Sequence, residues 1–222
     1  MKPTLLLAAD TSGKHGSIAL AQCGPGDACE VLEVVPLAGG TFSAQLIPQI
    51  AALLRKHGFD KSNLGGFAVA SGPGSFTGLR VGLAAVQGLS EVLHKPIAAV
   101  SLLEALADGI EGKLFAVLDA GRGEVYAGEF DHGELTLFGE QLLTQEEFLA
   151  APHATTVITR DHAFAEALGQ VGGGVVVIDR PRSDVIARIG WRKIQAGKTV
   201  SPEELDANYI RRSDAEMAKG GA

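Results

Sequence analysis

The chain has 222 residues, 46% hydrophobic and 20% charged, a balance that specifies a globular protein with a sizeable core in one large or two small domains and excludes a disordered one. Its formal net charge of −7 repels a nucleic-acid backbone, so RNA contact requires a local patch or a partner.

Thr4 to Ala9 is a short apolar run, and the punctuation Asp10-Thr11-Ser12-Gly13 makes it a strand followed by a turn. The run is too short for a secretory core and no other reaches membrane-spanning length, so the expected setting is the cytoplasm, with no membrane partner. Ser17 to Ala21 alternates weakly, and Glu30 to Pro36 follows the Gly24-Pro25-Gly26 break; the three runs predict an antiparallel meander. Cys23 and Cys29 match neither a zinc nor a redox spacing and read as two reduced thiols. From Ser43 to His57, Leu46, Ile47, Ile50, Ala51, Leu53 and Leu54 fall at helical spacing and stop at Gly58. Pro48 requires this helix to begin late or bend. Its apolar stripe is wide, and either part of it faces another chain or the helix is sandwiched between sheet and loop.

Next comes an apolar strand, Phe67 to Ala70, and then Ser71-Gly72-Pro73-Gly74-Ser75-Phe76-Thr77-Gly78-Leu79-Arg80, where three glycines and a proline force a sharp turn before a helix to about Leu93. The loop fits no phosphate motif: Leu79 and Arg80 stand where a Walker loop needs Lys and a hydroxyl, and the glycine spacing is one residue too long for a dinucleotide fingerprint. Gly72, Pro73, Gly74, Ser75, Thr77 and Gly78 therefore read as a structural loop. Within the helix, Gly82, Ala84, Ala85 and Gly88 leave one flank nearly bare. Glycine there costs about 1 kcal/mol against alanine, so another backbone should approach it closely, from within the fold or from a second chain.

Pro96 to Val100 is a further strand, and Ser101-Leu102-Leu103-Glu104 reads as a capping box opening a helix. A second round then begins: strands Leu114 to Asp119, Glu124 to Phe130 and Leu135 to Phe138, a helix capped by Thr144, a strand Thr156 to Thr159, a helix Asp161 to Leu168 and a strand Val175 to Ile178. Ser183 is placed to cap a last helix to about Ala196; Ser201 to Glu204 starts one more turn, and Lys219 to Ala222 reads as a frayed tail. Asp10 and Asp119 occupy the same place in the two rounds. This order predicts an α/β protein of two topologically duplicated halves, residues 1–108 and 109–222, with mixed sheets covered by helices and the last residues returning to the first half.

The run from Gly72 to Ser90, GPGSFTGLRVGLAAVQGLS, resembles the signature of the TsaB (YeaZ) family. Asp10-Thr11-Ser12, the segment from Asp119 to Tyr126, and Tyr209-Ile210-Arg211 extend the likeness over most of the chain. The resemblance implies the actin-like (ASKHA, RNase H-like) fold. It also implies a noncatalytic scaffold that pairs with the catalytic paralogue TsaD and docks the ATPase TsaE in forming threonylcarbamoyladenosine at position 37 of tRNA. Such a chain would meet tRNA only through the complex, could homodimerise alone, and would need no cofactor.

The residues bear on three function classes. For an actin-like ATPase or kinase, Asp10, Thr11 and Ser12 lack the third-position glycine that admits phosphate, and Asp119 has no companion acid or Lys at a magnesium-binding spacing; both aspartates read as phosphate-hairpin remnants or as turn caps. A metalloenzyme would want paired histidines, whereas His15, His57, His94, His132, His153 and His162 are scattered, and Phe42 stands where the resemblance implies a common histidine. For a partner subunit, Leu46, Ile50 and Leu53 of the first helix and Arg80, Gly82, Leu83, Ala85, Val86 and Leu89 of the second supply the candidate interface. Leu79, Leu83 and Val86 form one ridge and Gly82, Ala85 and Leu89 its neighbour; which faces outward is open. Arg180, Arg182, Arg188, Arg192, Lys193 and Lys198 are either a solvated helix face or a tRNA contact made inside the assembly.

Overall fold

The computed structural model describes residues 3–151, 155–172, 174–179, 182–208 and 210. The first three strands, β1 (Thr4–Asp10), β2 (His15–Cys23) and β3 (Cys29–Ala38), form the antiparallel meander. Pro36 sits within β3 opposite Ser17, tolerated because β3 is an edge strand with one side free of ladder bonds. Helix α1 (Phe42–Lys56) begins before Pro48 and contains it. A single turn of 3-10 helix, Lys61–Asn63, capped by Asp60, leads into β4 (Leu64–Gly72). Helix α2 (Phe76–Leu93) and β5 (Ile97–Ser101) follow, and β4 and β5 run parallel to β1.

The second round repeats this layout. After α3 (Leu102–Ala107) come β6 (Lys113–Gly121), β7 (Glu124–Asp131), β8 (Glu134–Thr144), α4 (Gln145–Ala150), β9 (Thr156–Thr159), α5 (His162–Gln170) and β10 (Val175–Val177). The sheets have the orders β3-β2-β1-β4-β5 and β8-β7-β6-β9-β10, each a meander extended by parallel strands. This is the duplicated actin-like topology. By compactness, among the described residues, 3–105 and 182–207 form one unit and those within 106–179, with 208 and 210, form the other. Helix α6 (Ser183–Gln195) thus packs on the first sheet, where Gly190 lies so close to Ala68 that an added Cβ would collide with it.

Both cores follow from the apolar runs. In the first unit Leu6, Leu7, Ile18, Leu20, Phe67 and Ile97 are fully buried, each contributing about 1.5–3 kcal/mol relative to exposure. In the second, Val117, Val125, Val157, Phe164 and Leu168 surround Phe148, whose ring meets that of Phe115 edge-on at 5.6 Å.

Several local expectations give way to longer-range partners. Strand β8 is 11 residues long rather than ending at Phe138, because β7 pairs with it from Glu124↔Thr144 to Asp131↔Glu134. Ser183 is the first helical residue instead of the cap; its N–H and hydroxyl donate to Ser17 Oγ at 3.0 and 2.9 Å, both side chains buried. At the expected capping box the helix does begin, at Leu102: the Leu103 N–H donates to Ser101 Oγ at 3.1 Å, and Glu104 Oε2 also accepts from Lys193 Nζ at 2.6 Å. Cys23 and Cys29, expected as reduced thiols, are the last pair of the β2–β3 ladder, and their sulfurs are joined.

Candidate partner-binding site

The turn between β1 and β2 is where an actin-like protein would hold phosphate. Here Asp10 is buried, and its Oδ1 accepts from the Ser12 N–H at 2.8 Å and from the Ser12 hydroxyl. The Thr11 hydroxyl donates to the Gly78 carbonyl at 2.7 Å, and the Ser75 N–H donates to the Ser12 carbonyl at 2.7 Å. Ser75 also caps α2, its Oγ accepting from the Gly78 N–H at 3.3 Å. Three donors that could greet a phosphate, the Thr11 hydroxyl and the Ser12 amide and hydroxyl, are thus committed inside the chain.

The glycines make this closure possible. A Cβ added at Gly74, Gly78 or Gly82 would fall within 3.0 Å of Ser12 or Thr11. The close approach comes from within the fold, by the Thr11 backbone at Gly78 and by the Thr11 side chain, rather than a second backbone, at Gly82. Gly88 is different: it is exposed, and an added Cβ would meet nothing within 4 Å. In the second unit, Asp119 Oδ1 accepts from the Gly121 N–H at 2.8 Å, the same aspartate turn as at Asp10, with Asp119 exposed.

On its other flank α2 lies beside α1. Leu79, Leu83 and Val86 are buried, as are Leu46, Ile50 and Leu53 of α1. The neighbouring ridge is split: Gly82 is buried against Thr11, while Ala85 and Leu89 are half-buried and Arg80 is exposed. Between the helices runs an apolar groove of about 490 Å³, lined by Ser43, Leu46, Ile47, Phe76, Thr77, Arg80, Val81, Ala84 and Ala85. Ile47 is 48% and Phe76 41% exposed, and the Arg80 guanidinium stacks 3.8 Å over the Phe76 ring. Of the candidate interface residues, Leu46, Arg80 and Ala85 come together at this groove; Ile50, Leu53, Gly82, Leu83 and Val86 are buried in the chain's own packing. Ile47, Phe76, Val81 and Ala84 were missing from the candidate set, although the wide stripe of α1 already included Ile47.

A family model described as "TsaD: tRNA N6-adenosine threonylcarbamoyltransferase" matches residues 34–172. The tRNA threonylcarbamoyladenosine biosynthesis protein TsaB of Haemophilus influenzae is 30% identical over 76% of this chain and 74% of its own length. The chain belongs to the TsaB family. The TsaB protein of Escherichia coli is 28% identical over 95% of this chain and 96% of its own. The solved structure of YeaZ from Pseudomonas aeruginosa superposes with a TM-score of 0.74 at 27% identity, covering 93% of this chain and all of that one.

Where the family resemblance implies a histidine, Phe42 is 6% exposed and its ring packs against Gly16, so the position serves the core. The basic cluster of α6 is largely paired: Arg188 and Arg182 each lie 3.4 Å from the Asp184 carboxylate, and Lys193 bonds to Glu104 and, at 2.9 Å, to the Ala99 carbonyl. Arg180, His153, Tyr209, Arg211 and the tail from Lys219 to Ala222 lie outside the described residues. Among the described residues, no three His, Cys, Asp or Glu side chains gather as a metal site, and no helix is long and apolar enough to cross a membrane.

Proposed function

We propose that this chain is a noncatalytic scaffold subunit that binds a TsaD paralogue through the α1–α2 groove and offers the resulting assembly to the ATPase TsaE. Membership of the TsaB family ties it to the biosynthesis of threonylcarbamoyladenosine in tRNA. The observation that carries the scaffold reading is the pairing of a closed hairpin with an open groove. The Thr11 and Ser12 donors are engaged by Asp10 and the glycine loop, while the opposite flank of α2 presents apolar side chains and bare positions to solvent. Small residues at Ala84, Ala85 and Gly88 let a partner helix approach closely, with Ile47 and Phe76 as apolar anchors. A specific complex formed there would bury on the order of 1,600 Å² in total. On this reading tRNA is met only within the complex, and without TsaD the same face can pair with a second copy.

Co-expression with the TsaD paralogue of the same organism, followed by size measurement with and without ATP, tests this reading. A stable heterodimer from wild-type protein, lost with Ile47→Glu while the variant chain stays folded, is the expected result. Heterodimer formation undisturbed by Ile47→Glu and by Ala84→Glu would overturn the groove assignment. Stoichiometric ATP binding by the isolated chain would favour a nucleotide-binding ATPase or kinase instead.

A further inference from the structure

The end of the β2–β3 hairpin brings together the chain's two cysteines and its single tryptophan. Cys23 and Cys29 face each other as the last pair of the ladder, with Cα atoms 4.0 Å apart, a little closer than the roughly 4.4–6.8 Å usual for a disulfide. Cys23 is fully buried and Cys29 partly exposed. The loop between them is closed by the Gly24 N–H donating to the Ala28 carbonyl at 2.7 Å. Its outward carbonyls are gripped by α6: Trp191 Nε1–H donates to Gly24 O at 2.8 Å and to Gly26 O at 3.2 Å, and Gln195 Nε2 donates to Gly24 O at 2.8 Å.

We infer that Cys23 and Cys29 are a reversible thiol–disulfide site, oxidised by small-molecule disulfides, whose state is transmitted through the 24–28 loop to Trp191 on α6. The register already holds the two sulfurs together, so closing the bond requires little additional ordering of the native chain. The exposed partner reacts first. The Cys29 thiolate attacks one sulfur of the oxidant, whose other sulfur leaves as a thiolate, giving a mixed disulfide. The Cys23 thiolate then attacks Cys29 Sγ and expels the second thiolate. The protein loses two protons and two electrons in all, and the oxidant is reduced to two thiols. Because the bonded loop is pinned to Trp191 Nε1 at two carbonyls, tightening or releasing its base changes the indole's surroundings.

The test uses the full chain equilibrated in glutathione buffers of graded oxidised-to-reduced ratio, quenched by alkylation and read by intact mass and tryptophan fluorescence. Expected is a single transition from two alkylated cysteines to none, with the emission change sharing its midpoint. Cys23→Ser should trap Cys29 as a lasting glutathione adduct, whereas Cys29→Ser should leave the buried Cys23 unmodified while folded. Two alkylatable thiols at every ratio would overturn the site, and oxidation with unchanged Trp191 emission would overturn its coupling to α6. Both readouts come from the wild-type chain, so neither depends on how well the serine variants fold.

Discussion

Leu83 is buried and Ile47 exposed on the same helix pair, and a glutamate at each should separate folding from binding. Leu83 is 5% exposed, whereas Ile47 is 48% exposed at the groove. Truncating a buried leucine costs about 2–5 kcal/mol, and placing a carboxylate there without a partner adds several more. The total rivals the stability of a whole domain, about 5–15 kcal/mol, so Leu83→Glu should unfold or fail to accumulate. At Ile47 the carboxylate remains hydrated and roughly half of the side chain's transfer energy is lost, about 1 kcal/mol, which lowers Tm by about 2–4 °C in a chain of this size. If Ile47 anchors the partner, its replacement should weaken binding by 2 kcal/mol or more, about 30-fold. Thermal unfolding of both variants beside affinity measurement with the TsaD paralogue reads the two effects. A normally folded Leu83→Glu would refute the assignment of the inward ridge. Wild-type affinity in a folded Ile47→Glu would refute the outward one.

Gly82→Val should destabilise the chain by about 1–3 kcal/mol through overpacking, since a Cβ there collides with Thr11; a chemical-denaturation midpoint equal to wild type would contradict the closed hairpin. Glu33 on β3 accepts from Lys56 Nζ at 2.6 Å and meets His57 Nε2 at 2.8 Å, and the Lys56 hydrogen bond, then that from His57, holds its carboxyl below the ordinary value of 4.5. A carboxyl lowered in the folded state contributes stability above its unfolded pKa and loses it as pH falls through the folded value. The Tm gap between wild type and Glu33→Gln should therefore be present at neutral pH and vanish in strong acid; a gap independent of pH would remove the ion pair from the account. The isolated chain should show no ATP turnover in a phosphate-release assay, and turnover abolished by Asp10→Ala would restore the kinase reading.

Much of this protein was legible in local sequence because its signals are local. Alternating and helical periodicities set nearly every strand and helix, glycine and proline clusters set the turns, and the element order repeated around Asp10 and Asp119 exposed the duplication. The run from Gly72 to Ser90 carried the family. What needed the tertiary structure were choices among partners distant along the chain. Gly82 and Gly88 marked a close approach in sequence, but only the fold brings Thr11 against Gly82 and leaves Gly88 open. Glu104 has the spacing of a capping residue, and only the fold brings Lys193 within hydrogen-bond reach of it. Ser183 has the chemistry of a helix cap and instead meets Ser17 from the first hairpin. The two ridges of α2 are nearly equal in apolar character; one is buried, and the other is split between Gly82 against Thr11 and the half-buried Ala85 and Leu89. Periodicity states that a helix has an apolar face, whereas packing against particular neighbours decides which side chains are consumed by the core and which remain for a partner.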